Sequence, residues 1–352
     1  MKIAQLVSNF HPVHPQQNMA IYSHVAWLTN GLINQGHTVT LFGAGNSNTK
    51  AKLHSILPIA SKAMSMNDEM RKYYVHSLVS QCYRRAKEFD IIHSHFNILS
   101  SFYSNLVDTP TVQAIHSPIS TELRPLLMQF KNNRYISFSL AQRKSMPDLN
   151  WVANIYHGVD TKIFSYNPEP KDYMLFLGRI TEDKGVHYAI EAAKAAGVQL
   201  IIAGRSYPAE GYWHDKIEKH IDGVTVRYVG EANFETKIEW LKNAKALLFP
   251  TQYNEAFGYT MIEAMACGTP VIGWRNGSTP EIIADGKTGY VVENVPDMVQ
   301  TIKKIDTISR AATRKRAEQF FSVEKMVSGY AKEYERITKE REYKKQNGNY
   351  KL

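Results

Sequence analysis

From position 178 to 185 the chain reads GRITEDKG, and from 254 to 273 it reads NEAFGYTMIEAMACGTPVIG. In the first segment Gly178 allows a tight turn after an apolar run. Arg179 offers a planar fork suited to phosphate oxygens, and Lys184 adds a point charge ahead of a helix. Such a cluster suits a diphosphate, although a GR pair by itself reads first as an exposed turn with ordinary salt bridges. In the second segment Glu255 falls in the loop after ALLFP (246–250), and Glu263 is expected about two turns into the following helix. The N–H groups of Phe257, Gly258 and Tyr259 would open from the amino end of that helix, where anions are favoured. One acid in the loop and one on the helix could then flank a phosphate and bind hydroxyls on either side of it. Two glutamates on an amphipathic helix are usually solvated. Here Ala264, Met265, Ala266 and the CGTPVIG run pack the helix into a core, so polar groups on its inner edge need partners.

The elements that must position these groups alternate in type. Short β-branched and apolar runs at 2–8, 38–43, 90–95, 111–116, 135–139 and 151–156 read as strands separated by helical stretches. Ile21, Val25, Leu28, Leu32 and Ile33 mark the first helix, with Gly36 placed as its C-terminal stop. The segment 157–170, carrying Gly158, Pro168 and Pro170, breaks the rhythm as a linker. It restarts with strands at 173–178, 198–204, 224–230, 246–250, 269–274 and 289–293, and a helix over 186–196. Strand, helix, strand, repeated, implies parallel sheets with right-handed crossovers. A final polar helix has an apolar stripe at Phe320, Val323, Met326, Val327, Tyr330 and Tyr334 and must dock on something. The tail 344–352 is expected to fray. Open α/β sheets bind ligands beyond the carboxyl ends of their strands, but the fold alone does not choose the ligand.

Composition sets bounds. The 352 residues exceed one ordinary core, and 43% hydrophobic with 21% charged residues is a globular balance. Cys82 and Cys267, one in each half, make neither a disulfide framework nor a paired metal motif, which suits a reducing cytoplasm. Ser8, Asn9 and His11 interrupt the N-terminal apolar run, so it reads as a strand and not a leader. No apolar run approaches the ~18 residues of a membrane span. The net charge is +9, and residues 1–165 hold 15 Lys and Arg against 8 Asp and Glu. A basic first half suits peripheral contact with an anionic membrane at its inner face or with an anionic glycan, and equally a merely soluble basic surface. Nucleic acid is not an expected partner: Arg84, Arg85 and Lys87 form a small basic cluster without a recognised motif.

The segments from 173 to 292 resemble the retaining nucleotide-sugar glycosyltransferases of the GT-B fold, specifically glycosyltransferase family 4, also called glycosyl transferases group 1. The resemblance extends over nearly the whole chain. It implies two Rossmann-like domains facing across a cleft, with 1–160 binding the acceptor and 161–318 the donor. The terminal helix and tail, 319–352, would pack back toward the first domain. The family pattern assigns Arg179 and Lys184 to the diphosphate, Glu255 to donor sugar hydroxyls and Glu263 to the ribose. Gly178, Ala256, Phe257, Gly258 and Tyr259 would face the phosphate or sugar, and Gly204, Val229, Gly230 and Glu231 would lie by the base. His116, expected at the end of the strand 111–116, would reach the donor sugar from the N-terminal half, while His93 and His95 read as structural. Transfer of a hexose with retention, without cofactor or metal, is implied. UDP-glucose is the first expectation for the donor and GDP-mannose the second; the acceptor, a saccharide, lipid or small molecule, is not legible.

One departure bears on activity. Family members carry a glycine pair after the first strand, whereas residues 12–22, PVHPQQNMAIY, contain none. Gln17, Asn18 and Met19 fill that loop, and only Asn18 tolerates unusual backbone angles. A protein that binds sugar nucleotides without transferring them is the alternative.

Overall fold

The computed structural model describes residues 1–208 and 211–347. Its contacts divide the chain into two units, Met1–His157 with the chain from Val323 onward, and Gly158–Ser322.

The first unit is built on seven parallel strands: β1 (Lys2–Leu6), β2 (Thr38–Phe42), β3 (Lys52–His54), β4 (Ile91–Ser94), β5 (Thr111–Ala114), β6 (Arg134–Ser137) and β7 (Trp151–Asn154). Their order is β3-β2-β1-β4-β5-β6-β7. Helices cover both faces of such a sheet, so its strands are apolar almost throughout. β4 is buried at all four positions and β1 at four of five. The expected strands exist but are shorter at their carboxyl ends. The first run ends at Leu6, the run at 111–116 ends at Ala114, and the chain turns there into loops. β3 was not expected from its three residues, KLH. It is held by pairing with β2, Leu41 opposite Leu53.

The second unit has six parallel strands: β8 (Met174–Leu177), β9 (Leu200–Ala203), β10 (Val226–Tyr228), β11 (Ala246–Phe249), β12 (Val271–Trp274) and β13 (Gly289–Val292). They run in the order β10-β9-β8-β11-β12-β13. A helix spans Val186–Ala196, as expected. The segment read as a linker is pinned by two arginines of the helix Arg310–Phe320. Arg314 donates to the carbonyls of Phe164 and Thr161 at 2.6 and 2.7 Å, and Arg310 to those of Asn167 and Ala244 at 2.7 and 2.9 Å. Burial lowers the Arg310 guanidinium to about 10.

The terminal stripe belongs to two helices and not one. Phe320 ends the Arg310–Phe320 helix and is half exposed, because the chain breaks at Phe321 and Ser322, where Val159 N–H donates to the Phe321 carbonyl at 2.8 Å. The terminal helix, Val323–Gln346, buries Met326, Val327, Tyr330, Tyr334 and Ile337 and packs against the helix Ala20–Asn34. It stays regular through Gln346, so the fraying expected from position 344 does not begin there; 348–352 lie outside the described residues.

Candidate functional site

In each sheet the strand order reverses once, between β1 and β4 and between β8 and β11. Connections on either side of such a point leave in opposite directions, which opens a crevice beyond the strand ends. In the second unit the chain leaving β8 makes a tight turn, Glu182–Lys184, closed by Gly185 at φ +73°. The chain leaving β11 enters a loop from Pro250 to Gly258. The two are pressed together: a Cβ on Gly185 would stand 2.1 Å from the Pro250 carbonyl oxygen. Gln252 seals them, its N–H donating to the Asp183 carbonyl at 2.8 Å and its side chain to the Glu182 carbonyl at 2.5 Å.

This contact brings Lys184 and Glu255 together. Lys184 Nζ donates to Glu255 Oε2 at 2.6 Å and to the Tyr253 hydroxyl at 2.5 Å, and that hydroxyl donates to the same carboxylate oxygen at 2.6 Å. Only 16% of the Lys184 side chain and 15% of the Glu255 side chain reach solvent, so water screens the pair weakly. Burial, and then the Glu255 charge, push the Tyr253 phenol well above its ordinary value, which keeps it a donor. Arg179 stays apart from this triangle. It is more than half exposed and sits 3.7 Å from Asp183, leaving its fork open to an anion.

The helix Tyr259–Ala266 begins at Tyr259 because Gly258, at φ +84°, holds the left-handed conformation ahead of it. Glu263 therefore lies just over one turn in, not two. It is buried at 6% exposure, and Oε1 accepts from Lys237 Nζ at 2.7 Å. Lys237, itself 8% exposed, comes from the helix Phe234–Asn243 and stands 4.8 Å over the Phe234 ring. Sequence reading missed both Tyr253 and Lys237. The signal for Lys237 was present: it shares the i, i+3, i+7 face of Phe234 and Leu241, a core stripe with one cation in it.

The glycines assigned to the donor converge. Gly178 N–H donates to the Ala203 carbonyl at 3.1 Å, Gly204 N–H to the Gly230 carbonyl at 2.8 Å, and Val229 N–H to the Ile202 carbonyl at 3.0 Å. Gly178, Gly204, Val229 and Gly230 thus line one edge beyond β8, β9 and β10, with exposed Glu231 following. Ala256 and Phe257 are buried, and the Phe257 carbonyl accepts from Ser278 Oγ at 2.6 Å, which ties the loop to the chain after β12.

In the first unit His116 lies two residues beyond β5 and not at its end; its N–H donates to Asn97 Oδ1 at 3.1 Å. It belongs to a group of five histidines. His95 Nδ1 is 3.0 Å from His116 Nε2, His157 Nδ1 is 3.1 Å from His24 Nδ1, and His93 Nδ1 is 2.6 Å from the Tyr334 hydroxyl. Burial depresses all five, His116 to about 3, so the group is neutral at ordinary pH. Gln17 closes a turn onto the His14 carbonyl at 3.1 Å. Met19, about half exposed, precedes the Ala20–Asn34 helix without a side-chain cap. Asn18 makes no use of its tolerance for unusual backbone angles, since every residue at positive φ among those described is glycine.

Comparison with known proteins agrees with this architecture. The family model for glycosyl transferases group 1 matches residues 159–320, and that for glycosyltransferase family 4 matches 23–163. An uncharacterized glycosyltransferase of Methanocaldococcus jannaschii is 26% identical over 71% of this chain and 76% of its own length. The phosphatidyl-myo-inositol mannosyltransferase of Mycolicibacterium smegmatis is 25% identical over 77% of this chain and 76% of its own. Among solved structures, a sucrose-phosphate synthase from Thermosynechococcus elongatus superposes with TM-score 0.74 at 19% identity, over 96% of this chain and 98% of that one. Anabaena HepE, solved with UDP-glucose, gives TM-score 0.71 at 16% identity, over 94% and 98%. These likenesses carry the GT-B fold, and with two family models that together run from 23 to 320 the chain belongs to the family 4 glycosyltransferases, group 1.

Proposed function

We propose that this enzyme transfers a hexose from a nucleoside diphosphate sugar with retention of anomeric configuration, the donor being held by the second unit. The observation that carries the reading is the Lys184–Tyr253–Glu255 triangle at the β8/β11 reversal, with the open fork of Arg179 on the same turn. Lys184 and Arg179 would offset charge on the departing diphosphate, so the donor chemistry calls for no metal. Glu255 would take sugar hydroxyls, Glu263 the ribose, and the edge of Gly204, Val229, Gly230 and Glu231 the base. Gly178, Ala256, Phe257, Gly258 and Tyr259 would supply backbone around the phosphate and sugar, and His116 is carried as the sugar-facing group of the first unit. In the transfer, the bond from the anomeric carbon to phosphate breaks and a bond to the acceptor oxygen forms on the same face. The acceptor proton passes to the departing phosphate oxygen.

UDP-glucose is the first donor to test, supported by its presence in a structural neighbour; a mannosyltransferase relative makes a mannose donor the second. The acceptor is a glycan, a lipid or a small molecule. Among the described residues no helix is long and apolar enough to cross a membrane. The basic first half favours salt-sensitive contact with anionic lipid on the cytoplasmic side.

The test is a thermal-shift panel of nucleotide sugars, because a bound donor raises the melting temperature by mass action. Turnover of the stabilising donor by wild type and Glu255→Gln follows. Stabilisation by one donor with turnover lost in the variant is expected. No stabilisation by any donor, or an undiminished variant, would remove the reading. The loop Gln17–Met19, which puts side chains where the family has glycine, favours a second reading: donor binding without transfer. Tight binding with no turnover on any acceptor would select it.

A further inference from the structure

We propose that His24, His95 and His116 form a binding site for one late first-row divalent cation of the zinc type. They come from the Ala20–Asn34 helix, the chain leaving β4 and the chain leaving β5, beside the reversal between β1 and β4. Each presents a ring nitrogen, and the three nitrogens lie within 4.8 Å of one another. Ligands 2.0–2.1 Å from one tetrahedral zinc stand about 3.3 Å apart. His95 Nδ1 and His116 Nε2, at 3.0 Å, are already near that spacing, and the third nitrogen, no more than 4.8 Å from either, would have to draw in on binding.

The surroundings set the tautomer of His95. Gln5 Nε2 donates to the Tyr334 hydroxyl at 3.4 Å, and that hydroxyl meets His93 Nδ1 at 2.6 Å. The Gln5 amide is thereby turned so that its oxygen, 2.8 Å from His95 Nε2, accepts the proton of that ring. Nδ1 of His95 then carries a lone pair that accepts from His116 Nε2–H at 3.0 Å, a proton that moves to His116 Nδ1 when the cation takes its place. A ligating histidine commonly donates its other N–H to a carbonyl in this way, which sets both its tautomer and its orientation.

Three imidazoles select zinc, copper, nickel or cobalt over magnesium and calcium, which prefer oxygen. His116 is only partly buried and provides the route in. His157 stacks on His116, centroids 5.8 Å apart with planes at 7°, and closes one side. This site shares His116 with the sugar-facing position proposed above, and none of the donor groups of the second unit takes part in it.

The test uses the full chain stripped with a chelator and titrated with Co(II) as a spectroscopic stand-in, then with Zn(II) by calorimetry. One ion per chain is expected, with the intense visible absorption of tetrahedral cobalt. His95→Gln should weaken binding at least ten-fold, and Gln5→Leu about ten-fold through loss of orientation. His214→Gln, an exposed control, should leave it unchanged. X-ray absorption at the zinc edge of unmutated protein should give three nitrogen ligands, which keeps the test decisive if a variant fails to fold. Less than one ion per chain, fewer than three nitrogen ligands, or equal affinity in a folded His95→Gln would overturn the site. No sugar nucleotide enters these measurements, so their failure leaves the donor reading standing.

Discussion

A Cβ built on Gly204 would stand 1.7 Å from the carbonyl oxygen of Gly178. These residues follow β9 and β8, neighbouring strands in the second sheet, and their backbones touch where side chains would hold them apart. Gly204, at φ +154°, is also in a conformation open to few residues other than glycine. Gly204→Ala should therefore lose about 3 kcal/mol or more of stability, or fail to accumulate as folded protein. Gly230→Ala, where φ is +76° but no atom lies within 4 Å of the new Cβ, should lose only about 1–2 kcal/mol. Urea unfolding of the two variants measures the contrast, and equal losses would show that close approach is not what matters at Gly204.

Tyr253→Phe removes the hydroxyl shared by Lys184 and Glu255 while keeping the ring over which Lys184 sits at 4.7 Å. A hydrogen bond to a charged group contributes about 1.5–3 kcal/mol, so kcat/KM should fall by about ten-fold or more. The melting temperature should change little. Lys184→Ala should lose about 100-fold or more, since it removes the charge itself. A Tyr253→Phe enzyme as fast as wild type would mean that the phenol positions neither partner.

Lys237→Met leaves Glu263 buried without its cation. Removing one member of a buried pair typically costs about 3–5 kcal/mol, because the remaining charge is uncompensated. Equilibrium unfolding should show that loss, and adding Glu263→Gln should restore part of it. Full stability in the single variant would mean that water, and not Lys237, satisfies the carboxylate.

The histidine group makes the chelated protein acid-sensitive. Burial lowers the folded values of His24, His93, His95, His116 and His157 below the 6.5 of the unfolded chain. Below pH 6.5 the unfolded state binds more protons than the folded one. The stability these groups contribute is complete above 6.5 and is lost as pH falls toward the folded values, about 3 for His116. Each group removes about 1.4 kcal/mol per pH unit once well below 6.5. Urea midpoints between pH 7.5 and 5 should fall steeply, and less steeply in His157→Phe. A flat profile would show that the group takes up protons while folded.

Much of the fold was legible from periodicity. All-buried parallel strands are short apolar runs, and the first helix declares itself by the spacing of Ile21, Val25, Leu28, Leu32 and Ile33 and by Gly36, so the order of elements and the two-sheet plan could be read directly. The carboxyl ends of the strands could not. Ile115 and His116 continue the apolar run but have left the sheet, because pairing with β4 and β6 stops at Gln113 and Ala114. The split of the terminal stripe at Phe321 was likewise invisible, since residue type on either side hardly changes.

Local sequence determined which residues could do chemistry: Arg179, Lys184, Glu255 and Glu263 stand out by type and by position after strands. Which of them meet was decided only in three dimensions. Lys184 and Glu255 are 71 positions apart and touch because β8 and β11 are neighbours at the reversal of the sheet. Lys237 and the five histidines come together for the same physical reason. Pairing distant strands costs chain entropy that only the whole core repays, so the contacts it creates between loop side chains exist once that core is complete and are not written in any short stretch of chain.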